Sequence, residues 1–379
     1  MNTAAKPKPG LEDTIATSSA ICYVDGDRGV LAYGGYDIHD LARHATFEEV
    51  CHLLWHRRLP TRAELGDLQS QLATARALPE SIIRLMRSLP VGDGMDALRT
   101  LTSALAHYDP DAGDQSPRAS YRKAVRLTAQ VGTLVATMGR LNAGGGPLQP
   151  DPVLGHAANF LYLLTGERPS GAANRAFDVA LILHADHELN ASTFVARVAA
   201  ATLTDIHSAI VSAIGALKGP LHGGANADVM RMLLEIGATS APGHAEEVVR
   251  TRLARKEKIP GFGHRVYRTE DPRATELRQM SRDLGHRVGQ PAWFELSQRI
   301  EALVKTEKKL NPNVDFYSAS TYYALGIPID LFTPIFAVSR VSGWTAHVLE
   351  QYANNRLIRP RAEYIGPEYP LRYVSIEHR

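Results

Sequence analysis

Four stretches of the chain gather residue types that can do chemistry. The first is Gly219-Pro220-Leu221-His222-Gly223-Gly224-Ala225-Asn226. A helix ending at the proline and another starting just after the histidine would set His222 beside a helix N-terminus. The partial positive charge there disfavours imidazolium and keeps the ring a neutral hydrogen-bond donor. The glycines let backbone or a ligand approach closely. The plainer alternative is a glycine hinge with an incidental histidine.

The second stretch runs from Pro260-Gly261-Phe262-Gly263-His264 through Arg265 and Arg268 to Asp271-Pro272-Arg273. Residues 252 to 287 hold ten Lys or Arg against five Asp or Glu, a local +5. Such a run can be a solvated helix face. The Gly-Phe-Gly turn and the Asp-Pro break instead predict irregular backbone under His264, Arg268 and Arg273, where side chains can converge on a ligand. Carboxylates and phosphates suit an arginine cluster, because guanidinium binds them in bidentate fashion.

The third is His184-Ala185-Asp186-His187-Glu188, where the i,i+3 histidines would share a helix face. That spacing invites a metal reading, but a third ligand has no obvious source and HExxH is absent, so no metal is expected. A core His184 with a ligand-facing His187 fits better. The fourth is Asn311 to Ser318, in which Asp315 is the lone acid of an apolar and hydroxylic run. Asp315 is either the N-cap of the following helix or a carboxylate in a partly dry site, with a raised pKa that suits a general base.

The elements that must position these residues read as helices. Thr46 to Glu49 and Thr61 to Glu64 are capping boxes, the first opening a helix that Leu59-Pro60 ends. Apolar residues recur at helical spacing over 173 to 187, 206 to 217 and 229 to 236, and a last helix is expected from Pro334 to about Tyr352. Alternation is scarce. Ile21 to Tyr23 and Val30 to Tyr33 flank the turn Asp25-Gly26-Asp27 as one short hairpin. The class is all-α. No repeat is visible, and Gly144 to Pro147 is the single low-complexity loop. Pro/Gly interruptions at 218 to 220 and 326 to 328 are read as hinges, giving a large domain of 1–220 and 327–379 interrupted by a small one of 221–326. Residues 1 to 12 are expected to form a mobile tail.

Composition excludes other classes. The chain has 379 residues, 44% hydrophobic and 22% charged, enough to bury a core without disulfide staples. A formal charge of +2 supplies no field for nucleic acid or an anionic membrane. Only Cys22 and Cys51 occur, with no CxxC, and neither a leader nor a membrane span is evident. A reducing cytoplasmic setting is expected.

In order along the chain, GPLHGGAN, PGFGHRVYRTEDPRA, NVDFYSAS and LFTPIFAVSRVSGWTAHVLEQ resemble the citrate synthase family, of the compact bacterial and archaeal dimeric type. The likeness extends from Gly10-Leu11-Glu12-Asp13-Thr14, through HADHELNAS, to Arg356-Leu357-Ile358-Arg359-Pro360. It implies the nested helical fold, an active site in the interdomain cleft, and a homodimer. It also implies Asp315 as the base that takes a methyl proton from acetyl-CoA, His222 as donor to the thioester oxygen, and His264 as the group polarising the ketone of oxaloacetate. Citryl-CoA would then be hydrolysed to citrate and CoA without any cofactor. His187, Arg273 and Arg340 match the binders of the oxaloacetate carboxylates, and Arg359 matches an arginine contributed across the dimer interface. Arg268, Lys258 and Arg356 are candidates for the CoA phosphates. Gly35 departs from the pattern of many relatives, outside these motifs. Two other functions stay open: a 2-methylcitrate synthase using propionyl-CoA, because one methylene is worth only ~1–3 kcal/mol of discrimination, and a non-catalytic CoA or citrate sensor.

Overall fold

The structure, a computed structural model, describes residues 9–11, 14–241 and 243–379. Of the expected tail, only the turn Pro9–Leu11 is described; the rest, and Glu12 and Asp13 of the first motif, lie outside the described residues. Three strands, β1 (Cys22–Asp25), β2 (Val30–Tyr33) and β3 (Tyr36–Asp37), form an antiparallel sheet in the order β1-β2-β3. The expected hairpin is present, its pairing running from Cys22 opposite Tyr33 to Asp25 opposite Val30.

Among the described residues, everything else regular is helical. The helices are α1 (Ile38–His44), α2 (Phe47–His56), α3 (Arg62–Ala75), α4 (Glu80–Ser88), α5 (Gly94–Leu105), α6 (Pro117–Asn142), α7 (His156–Thr165) and α8 (Gly171–His184). They continue as α9 (Ala191–Ala201), α10 (Ile206–Lys218), α11 (Ala225–Ile236), α12 (His244–Ala254), α13 (Pro272–Arg287), α14 (Ala292–Lys308), α15 (Val314–Ala324) and α16 (Phe332–Ala353). Both capping boxes are formed, Thr46 with Glu49 and Thr61 with Glu64. The first helix stops earlier than Leu59-Pro60, because Arg57 takes a left-handed backbone that closes it.

The core follows from α16. It is apolar around nearly its whole circumference, and such a helix has to be wrapped by others. Helices α2, α5, α6, α8, α9 and α10 wrap it, burying Phe332, Ile335, Val338, Val341 and Trp344 completely. Gly343 makes one of these contacts possible: a Cβ there would stand 2.3 Å from the Ala185 carbonyl oxygen. Helices α11 to α15 pack on one another, α15 against α11 and α13, and α14 against α12 and α13. This group meets the remainder where α13 touches α1 and α8, α15 touches α8, and α11 touches α16. After α16 the chain runs on without regular structure to a last turn at Ile376–His378.

Candidate active site

Three local devices carry the chemistry-bearing residues to one place. Gly261 and Gly263, both with positive φ, turn the 260–264 segment against residues 311–313. Gly263 N–H donates to the Asn311 carbonyl (2.9 Å), Asn313 N–H to the Gly261 carbonyl (2.9 Å), and Asn313 Nδ2 to the Gly263 carbonyl (2.9 Å). His264 and Asp315 are thus zipped together although 51 positions separate them. Second, Asn313, not Asp315, is the N-cap of α15, accepting from Asp315 N–H at 3.0 Å. The capping alternative for Asp315 is overturned, and its carboxylate is left free. Third, α8 ends at His184, so His187 lies on the turn beyond it and the two histidines do not share a helix face.

Arg273 also departs from expectation. Asp271-Pro272 does not break the chain into a loop; Asp271 caps α13 and Pro272 opens it, with Arg273 in its first turn. Asp271 is almost fully buried and works in three directions. It accepts from Arg273 N–H (3.0 Å), grips the guanidinium through Nε (2.9 Å) and Nη2 (2.8 Å), and accepts from Val314 N–H at the start of α15 (3.2 Å). Burial alone would lower the pKa of Arg273, but the Asp271 charge outweighs it and raises it. Arg340, equally buried, donates Nε to the His184 carbonyl at the C-terminus of α8 (2.7 Å) and lies over the Phe336 ring, 4.7 Å from its centroid. Arg273 Nη1 and both Nη nitrogens of Arg340 have no partner among the described residues, which leaves them for an anion.

The histidines have defined tautomers. The Ser192 backbone N–H donates to His222 Nε2 (3.4 Å), while its hydroxyl lies 2.8 Å from the same nitrogen and donates to Asn190 Oδ1 (2.8 Å). An amide N–H can only donate, so Nε2 is the acceptor and the ring proton sits on Nδ1. The α9 N-terminus, capped by Asn190, faces His222 through the Ser192 N–H, and α11 starts three residues after His222, at Ala225. Trp344 Nε1 donates to the same hydroxyl at 3.1 Å. His264 is the mirror case: Val266 N–H (3.0 Å) and Tyr267 N–H (3.1 Å) both point at Nδ1, so Nε2 carries the proton. Burial, then Arg340, brings the His222 pKa down to about 4, and burial, then Arg273, does the same to His264. Both are neutral donors at neutral pH. The His187 ring packs edge-on to that of His264, 5.3 Å between centroids, with its Nε2 3.1 Å from the Tyr267 hydroxyl; burial and Arg273 push its pKa well down.

Asp315 is the counterpart. The residue is half-buried, but its Oδ1 is sealed from solvent and has no hydrogen-bond partner. Burial, reinforced by Asp271 and opposed by Arg273 and Arg340, lifts its pKa to about 7. Such a carboxyl can accept a proton near neutrality. His264 also lines an open cleft of about 1040 Å³, together with Leu221, Met232, Leu253, Lys258 and Arg265. Lys258 therefore lines the same cleft as His264. Arg268 does not: it is exposed and faces Asp27 of the hairpin (3.4 Å), while Arg265 takes the cleft position. Arg356 and Arg359 are exposed on the segment after α16, apart from this cluster within the chain. Residue type alone does not single out Ser192, Asp271, Tyr267, Trp344 or Arg265. The Asp-Pro helix-start signature was the one available clue, for Asp271.

The family model for the citrate synthase C-terminal domain matches residues 10–361. Citrate synthase 2 of Bacillus subtilis (strain 168) is 55% identical over 98% of both chains. The Citrate/2-methylcitrate synthase of the same organism is 43% identical, covering 95% of this chain and 97% of its own. Among solved structures, citrate synthase from Pyrobaculum aerophilum superposes with a TM-score of 0.90 at 43% identity, over 97% of this chain and 94% of that one. The ternary complex of Thermoplasma acidophilum citrate synthase with carboxymethyl coenzyme A and oxaloacetate does so with a TM-score of 0.90 at 32% identity, over 97% and 98%. The chain belongs to the citrate synthase family and is an enzyme of its acyltransferase type.

Proposed function

We propose that the protein condenses acetyl-CoA with oxaloacetate and hydrolyses the resulting citryl-CoA. The observation that carries this is the combination of a carboxylate with one unpartnered, solvent-sealed oxygen and two neutral histidines whose ring protons are set by backbone donors. A methyl group beside a thioester is a very weak acid. Its removal needs a base and, at the same moment, a donor for the charge developing on oxygen. Asp315 takes the methyl proton while His222 Nδ1–H donates to the thioester oxygen. The carbon nucleophile then attacks the oxaloacetate ketone, polarised by His264 Nε2–H. His187, Arg273 and Arg340 hold the two carboxylates, and the guanidinium nitrogens left unpaired suit bidentate recognition. No metal or prosthetic group enters these steps.

Residues 221–326 are the part that closes over 1–220 and 327–379, sequestering citryl-CoA until water reaches it. Lys258, helped by Arg265, receives the CoA phosphates; Arg268 and Arg356 are secondary candidates. The protein works as a homodimer, with Arg359 completing the partner's site. Leu357, Tyr364, Ile365, Tyr369, Leu371 and Tyr373, all more than half exposed on the C-terminal segment, are an apolar arm suited to a second copy. With both cysteines unpaired, a reducing cytoplasm suits the protein.

Steady-state kinetics with acetyl-CoA and propionyl-CoA at equal oxaloacetate test the reading. A higher kcat/KM is expected for acetyl-CoA. A preference for propionyl-CoA would make it a 2-methylcitrate synthase, and absence of turnover with either would leave only a sensor of CoA or citrate.

A further inference from the structure

The condensation leaves one feature of the chain unused: the N-terminal hairpin, whose tip and second strand touch the loops that carry His264 and His187. The tip packs backbone to backbone on the first loop. Arg268 N–H donates to the Gly26 carbonyl at 2.9 Å, and a Cβ on Gly26 would stand 2.1 Å from the Val266 carbonyl oxygen. A Cβ on Gly29 would meet Thr269 Cγ2 at 2.8 Å and the Glu270 carbonyl oxygen at 3.0 Å. Asp25 Oδ1 holds the tip in shape by accepting from Asp27 N–H (3.1 Å) and Arg28 N–H (3.0 Å). One strand further, the buried Tyr33 hydroxyl accepts from Asp186 N–H (3.2 Å) and lies 2.9 Å from the Asp186 carbonyl oxygen, on the turn that presents His187.

These contacts bear on the residues that set the His264 tautomer. The ring proton is on Nε2 only because Val266 N–H and Tyr267 N–H face Nδ1, and Val266 is the residue that Gly26 abuts. Tyr267 in turn places its hydroxyl 3.1 Å from His187 Nε2. A shift of about an ångström at a reacting group can cost ~10²-fold in rate, so whatever holds these two loop segments bears on the chemistry.

We propose that the β1–β2 hairpin is a positioning clamp that holds the His264 loop through Gly26 and the His187 turn through Tyr33, thereby fixing the spacing and the tautomer of the two histidines. The proposal rests on reading His264 as the donor to the substrate ketone. Gly26, Asp25 and Tyr33 are positioning residues; none of them touches substrate in this arrangement.

Gly26→Ala is the decisive variant, because Gly26 does not need a left-handed backbone and the added methyl acts only through its contact with Val266. Asp25→Ala loosens the tip without adding an atom. Gly66→Ala, in open space on α3, is the control and should leave activity unchanged. Gly26→Ala should lower kcat by at least ~10-fold and raise KM for oxaloacetate, with KM for the acyl-CoA changing less than about twofold. Asp25→Ala should show the same split at a smaller size. In protein labelled with 15N at histidine, His264 Nδ1 should resonate as an unprotonated nitrogen in the parent and lose that signature in Gly26→Ala. Lower thermal stability with unchanged kcat, KM and nitrogen shifts would overturn the clamp. If Gly26→Ala fails to fold, Asp25→Ala decides alone, and parental kinetics and shifts in it overturn the proposal. A parent chain that turns over neither acyl-CoA would instead sink the functional reading beneath it.

Discussion

At its buried end the site holds His187, beside His264, with Arg273 and Arg340, each individually held, by Tyr267, by Asp271 and by the last carbonyl of α8. At the other end Lys256, Lys258, Arg265 and Lys308 line, from exposed positions, the cleft that His264 also lines. The two ends carry the same sign of charge and use it differently. Buried guanidinium groups act through a low local dielectric and in fixed directions, so each contact is strong and selects for geometry. Exposed ammonium groups are screened, pay side-chain entropy to point anywhere, and tolerate variation in what they meet. A small dicarboxylate fits the first plan and the phosphates of a long, flexible thioester fit the second.

That contrast can be broken in several ways. The largest effect belongs to the carboxylate: Asp315→Ala should reduce condensation by about 10⁴-fold, the upper range for losing a general base. Oxaloacetate binding, measured by calorimetry, should stay nearly intact, and surviving turnover would remove Asp315 from the mechanism. Next is Arg273→Gln, which strands the buried Asp271 charge; breaking such a pair typically costs ~3–5 kcal/mol. We expect kcat/KM for oxaloacetate to drop by about 10²- to 10³-fold, because that energy is divided between binding and a lower melting temperature.

The pH profile gives a third test. Asp315 must be ionised to accept a proton, and its pKa is raised to about 7, so kcat/KM should fall as pH drops through that value. The decline should approach about tenfold per pH unit. His222 and His264, with pKa values brought down to about 4, stay neutral there and should add no second limb above pH 5. Asp315→Asn should remove the limb together with the activity. The smallest effect is expected at the exposed end. Lys258→Ala combined with Arg265→Ala should raise KM for the acyl-CoA by about two- to tenfold at low ionic strength, fading at high salt. A loss as large as that at Arg273, indifferent to salt, would abolish the distinction between the two ends.

Much of this arrangement could be read along the chain. Helix boundaries at Thr46, Thr61 and Gly219 are local statements about capping and backbone freedom, and the structure places them within a few residues. The same local logic misled at Asp271-Pro272, where one dipeptide serves equally as a break and as a helix start; α13, packed against α8 and α15, realises the second. It misled again at His184 and His187, because periodicity continues on paper past the point where α8 stops. Arg268 and Arg265, three positions apart on a loop, could not be told apart by type, and only the hairpin's grip on Arg268 separates them.

By itself the sequence determined the residue types, the order of the helices and the presence of an acid, three histidines and an arginine cluster at motif spacing. Those properties depend on neighbours within a turn or two of chain. Only the tertiary structure decided which nitrogen of each histidine bears the proton, which arginine nitrogens stay unpaired, and how far burial lifts Asp315. Each of these depends on donors and charges contributed from distant segments. Ser192 sets His222 from 30 positions away, and Asp271 reaches the start of α15 across 43.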